Sequence, residues 1–261
     1  MNSMYDHFSN LSTSYNELRT TDHEPILYIR EKLDSKNQIM GADIGCGGGR
    51  YDLLLLQNLP GLHLICGDVN EAMVEETTRC LKDHSQNNFL AQCIDASDLR
   101  LPDNALDFIL TFNAIHHFDP VLFLNQARKA LKNEGYVFVY TRLKSQNARN
   151  IWGRFFPNFM GKENRLYGLC QIEEWMDQVE SISLENIYFF SFRRTAPLTH
   201  LLKQAENKHY STFSFYTKEE FNEALNGFRQ QIERHFADVE RVEWMDENVI
   251  IVFRKNTSIR I

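Results

Sequence analysis

The segment Asp43-Ile44-Gly45-Cys46-Gly47-Gly48-Gly49-Arg50 sets a carboxylate two residues ahead of a glycine-rich turn, between an apolar run and a helix-like run. Glycine at 45, 47 and 49 lets the main chain turn tightly and approach a ligand with no Cβ in the way. The apolar stretch 51–56 then starts a helix over the turn, a layout suited to a nucleotide-type ligand. In the dinucleotide fingerprint Gly-x-Gly-x-x-Gly the third glycine would fall on Arg50, so that fingerprint is broken. Asp43 argues the same way, because a carboxylate facing the turn repels a pyrophosphate and attracts an ammonium or another cation. The alternative is a plain strand-to-helix turn, and the residues downstream weigh against it.

A second apolar run, 62–67, ends at Asp68 with Val69 behind it, about twenty residues past the glycines, where an acid can accept from both hydroxyls of a ribose. A third run, 89–94, ends at Asp95-Ala96, which offers a carboxylate to an amino group and a small residue beside a flat ring. Any one of these aspartates alone reads as a loop or cap residue. Together they deliver three acids to one edge. A fourth run, Asp107 to Phe112, leads to Asn113 and then to His116 and His117, the nearest imidazoles to that edge.

Strand and helix patterns alternate through this region, which implies a parallel sheet covered on both faces with a ligand edge at the carboxyl ends of its strands. Ile39–Ile44 reads as the first strand, and Asn70 as the cap of a helix carrying Met73, Thr77, Cys80 and Leu81 inward. Asp119 caps another helix, with Pro120 at its first position, Leu124, Ala127 and Leu131 inward and Gly135 near its end; residues 136–142 supply the fifth strand. At 261 residues and 43% hydrophobic, the chain can bury one large core plus an appended segment. No apolar run approaches membrane-spanning length and the first residues carry no signal pattern, so a cytoplasmic protein without a membrane partner is expected. The five cysteines are odd in number and widely spaced, which predicts reduced, mostly packed thiols and neither a disulfide framework nor a metal centre. Cys46 within the turn reads as a small packed residue, with a reactive thiol as the alternative.

On these residues the chain resembles the class I S-adenosylmethionine-dependent methyltransferases, and among them the small-molecule group that includes the ubiquinone/menaquinone enzymes. The resemblance covers residues 1–142 and rests on 43–49, Asp68, Asp95-Ala96 and 107–118. It implies an α/β, Rossmann-like sheet of seven mostly parallel strands with helices on both faces, and a helical insertion or lid near the C-terminal strands. It also implies S-adenosylmethionine as cofactor, leaving S-adenosylhomocysteine as product. By this resemblance Asp43, Gly45, Cys46, Gly47 and Gly49 hold the methionine part, Asp68 with Val69 the ribose, Asp95 and Ala96 the adenine, and Asn113 the region near the sulfonium. Residues 5–19 resemble the leader that closes over the cofactor, with Tyr5, Phe8 and Tyr15 as contacts and Arg19 reaching its carboxylate; packing on the sheet edge is the other reading of these aromatics.

Residues 143–237 are read as the substrate-side insertion and lid, with one core strand near 187–192, and residues 238–261 as the closing part of the sheet. Within the lid Leu198, Leu201, Leu202, Phe221, Leu225, Phe228 and Ile232 are available for packing, and Thr217 with Glu220 forms a capping box. The whole chain carries a net charge of −7, but the stretch 141–210 leans basic. Arg142, Arg149, Arg154, Arg165, Arg193 and Arg194 either meet an anionic acceptor or pair at the surface. The acidic whole weighs against broad nucleic-acid binding. The expected activity is methyl transfer to a small molecule, with His116 or His117 as the base where the acceptor carries a proton. An RNA-modifying methyltransferase and a non-catalytic S-adenosylmethionine-binding protein are the alternatives.

Overall fold

The computed structural model describes residues 20–33 and 37–257. In chain order its elements are α1 (Glu24–Leu33), β1 (Ile39–Ile44), α2 (Arg50–Asn58), β2 (Leu62–Asp68), α3 (Glu71–Asp83), β3 (Phe89–Cys93) and β4 (Leu106–Phe112), followed by α4 (Pro120–Ala130) and β5 (Leu131–Thr141). Four short helices come next: α5 (Lys144–Arg149), α6 (Ile151–Phe155), α7 (Phe159–Lys162) and α8 (Leu169–Met176). The chain closes with β6 (Ile182–Ala196), α9 (Leu198–Glu206), α10 (Lys218–His235) and β7 (Val242–Lys255). The seven strands form one sheet in the order β3-β2-β1-β4-β5-β7-β6. Strands β1 to β5 are mutually parallel, and β7 runs antiparallel to both of its neighbours. The Rossmann-like α/β sheet of seven mostly parallel strands is therefore present.

Every residue of β4 is buried, as expected of a central strand covered on both faces. On one face Ala42, Ile109, Val137 and Ile251 pack against Phe123, Leu124 and Ala127 of α4 and Ile172 and Trp175 of α8. On the other, Leu64, Phe108, Leu110, Phe138 and Ile250 meet Ile26 and Ile29 of α1, Tyr51 and Leu55 of α2 and Leu81 of α3. The predicted caps of α3 and α4 form: Asn70 accepts from the Met73 amide and Asp119 from the Leu122 amide.

One boundary differs from the sequence reading. Helix α4 stops at Ala130, and Leu131 is the first residue of β5, paired with Leu106. The register then shifts before Phe108 meets Tyr136, with Glu134 at φ 61° in the irregular stretch. Gly135 therefore lies within the strand, where an added Cβ would stand 2.9 Å from the Lys132 carbonyl oxygen. Strands β6 and β7 are also longer than their apolar centres suggest, because polar residues such as Ser191 and Glu247 pair across the same ladder.

The stretch read as an insertion holds α5 to α10, with β6 running through it. Its helices make a third core of their own, in which Trp152 and Phe155 of α6, Leu201 of α9, Phe213, and Phe228 and Ile232 of α10 are buried together. Thr217 and Glu220 form the expected reciprocal cap at the start of α10 (3.2 and 2.8 Å). Phe228, fully buried against the Trp152 and Phe156 rings, is the centre of this packing. Phe228→Ala should cost about 3–5 kcal/mol in urea unfolding; a change below about 1 kcal/mol would mean that the lid does not fold as one unit with the sheet.

Candidate active site

The glycine turn leaves β1 through two amides, Gly45 and Cys46, that both donate to the Gly67 carbonyl at the end of β2 (2.7 and 3.1 Å). Gly45 takes φ 79°, and a Cβ there would stand 2.6 Å from the Ala114 methyl, so the position excludes any side chain on two grounds. Asp68 ties this turn to the next one: Oδ2 accepts from the Gly47 amide (3.0 Å) and Oδ1 from the Asn70 amide (2.9 Å). Burial raises its carboxyl above the usual carboxylate range, and the amides of Asn70, Gly47 and Val69 partly offset that. Arg50, in the place of the missing third glycine, donates to the Thr20 carbonyl and the Thr21 hydroxyl and lies 4.6 Å over the Tyr51 ring. It thereby holds the chain ahead of α1 across the turn.

Nine of the residues expected around the ligand line one cavity of about 770 Å³: Gly45, Gly47, Asp68, Val69, Asp95, Ala96, Asn113, His116 and His117. Asp95 directs Oδ1 to the amide and hydroxyl of Ser97 (2.8 and 2.7 Å), which hold its carboxyl below the usual range. Asn113 adopts φ 55° and donates its amide to the Tyr140 carbonyl (2.7 Å). His116 and His117 sit on a single 3-10 turn, Ile115–His117, with their rings 4.1 Å apart, and Nη1 of Arg165 stands 3.4 Å from Nδ1 of His117. Tyr15 and Arg19, with Tyr5 and Phe8, lie outside the described residues.

Asp43, Cys46 and Gly49 do not line the cavity; they lie behind its wall. Asp43 is 1% exposed and faces Asp52 of α2, itself fully buried, and neither acid has a main-chain or cationic partner among the described residues. Two ionised carboxylates cannot share such a place, so the pair retains a proton. Burial pushes Asp52 up to about 7, and burial together with the Asp52 charge pushes Asp43 well up. The packed-thiol expectation needs a correction as well: Cys93 and Cys170 are exposed, because they stand at the end of an edge strand and in the first turn of α8.

The far wall of the cavity comes from residues that sequence reading did not assign to a ligand. Trp152, Phe159 and Glu163 come from α6, α7 and the chain just after α7; His209 and Tyr210 follow α9; and Trp244 and Asp246 begin β7, while Asp22, ahead of α1, lines the cavity nearer the glycine turn, its amide donating to the Tyr51 hydroxyl (3.5 Å). One signal was available in the sequence, since an antiparallel β7 must bring its starting residues to the edge where the parallel strands end. Arg142, Arg165 and Arg194 line or border this wall, and each is bonded to an acid: Asp246, Glu163 and Asp22 respectively. Arg149 and Arg193 pair with Glu247 and Glu243.

A family model described as "Methyltransferase domain" matches residues 42–139, the stretch that holds the glycine turn, Asp68 and Asp95. Residues 42–139, which are 98 of the 261 residues, are similar to that domain. The chain shares its fold with a candidate methyltransferase of Bacillus halodurans C-125 (13% identity, 91% of this chain and 100% of that chain, TM-score 0.62). It is also similar to the [4+2]-cyclase SpnF (17%, 90% and 81%, TM-score 0.58). A third similar structure is the Haemonchus contortus phosphoethanolamine N-methyltransferase 2 with phosphomonomethylethanolamine and S-adenosylhomocysteine (16%, 90% and 53%, TM-score 0.55). The fold is that of the class I S-adenosylmethionine-dependent methyltransferases. A curated relative, the uncharacterized protein MJ0638 of Methanocaldococcus jannaschii, is 27% identical over 118 residues. That match spans 44% of this chain and about half the length of the relative (46%).

The cavity fits the cofactor of this fold class on its own geometry. The side-chain-free approach at Gly45 and Gly47, the buried carboxylate of Asp68 and the open carboxylate of Asp95 beside the small Ala96 all border one cavity.

The acid pair beneath the turn gives a pH signature. Asp52 keeps its proton in the folded protein up to about pH 7 and loses it near pH 4 when unfolded, so the folded state binds the extra proton in between. The pair's contribution is thus fully present below about pH 4 and is lost as pH rises toward about 7. Asp52→Asn should remove this loss, and the melting temperature of the variant relative to the parent should climb between about pH 4 and 7 and then level off. A difference that does not vary with pH would show that the pair holds no proton.

Proposed function

We propose that this protein is an S-adenosylmethionine-dependent methyltransferase that transfers the methyl group to a small-molecule acceptor enclosed by the lid. The observation that carries this reading is the convergence of the glycine turn, Asp68 and Asp95-Ala96 on a cavity whose opposite wall is built by α6, α7 and the segment after α9. When bound, the cofactor supplies a methyl group already activated on a sulfonium, so the protein has mainly to align an acceptor for in-line attack.

The chain's own residues divide that work. Gly45 and Gly47 let the main chain come up against the methionine part, and Asp43, Cys46 and Gly49 shape the turn from behind. Each Asp68 oxygen already holds one amide and has a second lone pair for a ribose hydroxyl, with Val69 alongside. Asp95 accepts from the adenine amino group while Ala96 leaves room for the ring. Asn113 lines the region between them and the histidines; Tyr15 and Arg19, expected at the cofactor, lie outside the described residues. The lid excludes water from the acceptor, and His116 or His117 takes its proton where it carries one. An anionic acceptor would rest on Arg142, Arg165 and Arg194, and each of these has a carboxylate partner. Among the described residues no helix is long and apolar enough to cross a membrane; with free cysteines throughout, this supports a cytoplasmic place of action.

Asp68→Ala should weaken S-adenosylhomocysteine binding by roughly 10- to 100-fold in titration calorimetry, the loss of charge-assisted hydrogen bonds to two hydroxyls. Unchanged affinity would remove the ribose assignment. Against an acceptor found by radiolabelled methyl transfer in extracts, His116→Gln or His117→Gln should lower kcat by roughly 100-fold or more without altering cofactor affinity; full turnover in both variants would mean that neither imidazole is the base.

A further inference from the structure

Three arginines that line or border the cavity are matched by acids within the protein. Arg142 bonds Asp246 through Nη2, the Tyr210 hydroxyl through Nη1 (3.3 Å) and the Glu247 carbonyl through Nε (3.1 Å). Burial would lower its pKa, but the Asp246 carboxylate and Tyr210 hold it above the ordinary value, so it stays a cation. Arg194 bonds Asp22 and lies 3.7 Å from the other Asp246 oxygen, and Asp22 also accepts from the Tyr140 hydroxyl (3.0 Å). Arg165 grips both oxygens of Glu163, one of which also accepts from the Thr212 hydroxyl. Three arginines thus meet three acids, and none of the six side chains is more than 20% exposed.

This arrangement constrains what can enter. An anion seeking Arg142, Arg194 or Arg165 must displace Asp246, Asp22 or Glu163, and a cation seeking one of those acids must displace an arginine; Arg50, which also lines the cavity, is held by Thr20 and Thr21 beside the glycine turn. Either displacement leaves a charge in a mostly buried wall without its counter-ion, the outcome with the heaviest desolvation cost. A neutral molecule leaves every pair intact. The same wall offers Asn147 and Asn248 for hydrogen bonds and the rings of Trp152 and Trp244 for an apolar body.

We propose that the methyl acceptor is an uncharged molecule that carries hydrogen-bonding groups on an aromatic or apolar body. The proposal rests on the methyltransferase reading for the word acceptor, and on the matched ion pairs for the word uncharged. Asp246 is its specificity-determining residue, since it serves Arg142 and Arg194 together.

Three probes of like shape and different charge test it: 2-phenylethanol, phenylacetate and 2-phenylethylammonium, titrated by ligand-observed NMR into the full chain with and without S-adenosylhomocysteine. The wild-type protein should bind 2-phenylethanol at least about tenfold more tightly than either ion. Asp246→Asn, which leaves one arginine charge unmatched, should shift the ratio toward phenylacetate by about tenfold or more, and Arg194→Gln should shift it the same distance toward the ammonium probe. Should one variant not fold, the other and the wild-type order still decide. The proposal is overturned if wild-type protein prefers either ion, or if 2-phenylethanol does not bind. Calorimetry with S-adenosylhomocysteine separates the two readings: failure to bind it, with the probe order intact, counts against the methyltransferase reading and leaves the charge matching standing.

Discussion

The carboxylate of Asp68 is the joint on which the candidate site depends. Its two oxygens take one amide from the glycine turn after β1 and one from the turn after β2, so two separate loops are fixed against each other by a single side chain. Strand pairing alone brings the strand ends to one edge, because β1, β2 and β3 are parallel neighbours. It does not set the height or orientation of the loops above that edge. A half-buried carboxylate that accepts main-chain amides does, and burying it is offset by those same bonds.

The acids at this edge occupy different environments, and those environments separate their roles. Asp68 is mostly buried but bonded to amides; Asp95 is exposed and held ionised by Ser97; Asp43 is buried without a cation and shares its burial with Asp52. Three aspartates of one residue type, each two residues or fewer from a strand end, thus become an anchor, an open acceptor and a protonated support. A carboxylate that faces an ammonium directly must reach the ligand, and Asp43 does not reach the cavity wall.

Much of the sheet and its ligand edge was legible in the sequence, because the half from Ile39 to Thr141 is local in character. Each strand ends in a marked turn, α3 and α4 open with Asn70 and Asp119 as caps, and the apolar periodicity names the buried faces. The placement of Asp43 was not legible, since nothing in the spacing says whether a strand-end side chain turns toward the ligand or toward Asp52, nine residues on. Nor was the end of α4, where Leu131 suits a helix face and a strand equally and the pairing with Leu106 decides. The far wall was hidden for a different reason. Glu163, Tyr210 and Asp246 are scattered along the chain, and only the antiparallel insertion of β7 between β5 and β6 brings them to one place.

That insertion also explains why the charged residues of the lid end up paired. Strand β7 begins where β5 ends, so Asp246 and Glu247 arrive beside Arg142 and Arg149, just past Thr141; β6 ends at the same edge and brings Arg194 to Asp22 and Asp246. The basic character of the 141–210 stretch is therefore compensated mainly by acids from outside it, from the segment before α1 and from β7, with Glu163 beside Arg165 the acid from within. Net charge summed along a segment says little about the charge a ligand meets, because the neutralising partners come from elsewhere in the chain. With these ion pairs closed, this part of the cavity lining presents hydrogen-bonding groups and aromatic faces, and on the proposed reading selection among acceptors falls to shape and to hydrogen bonds that a wrong molecule would leave unmade.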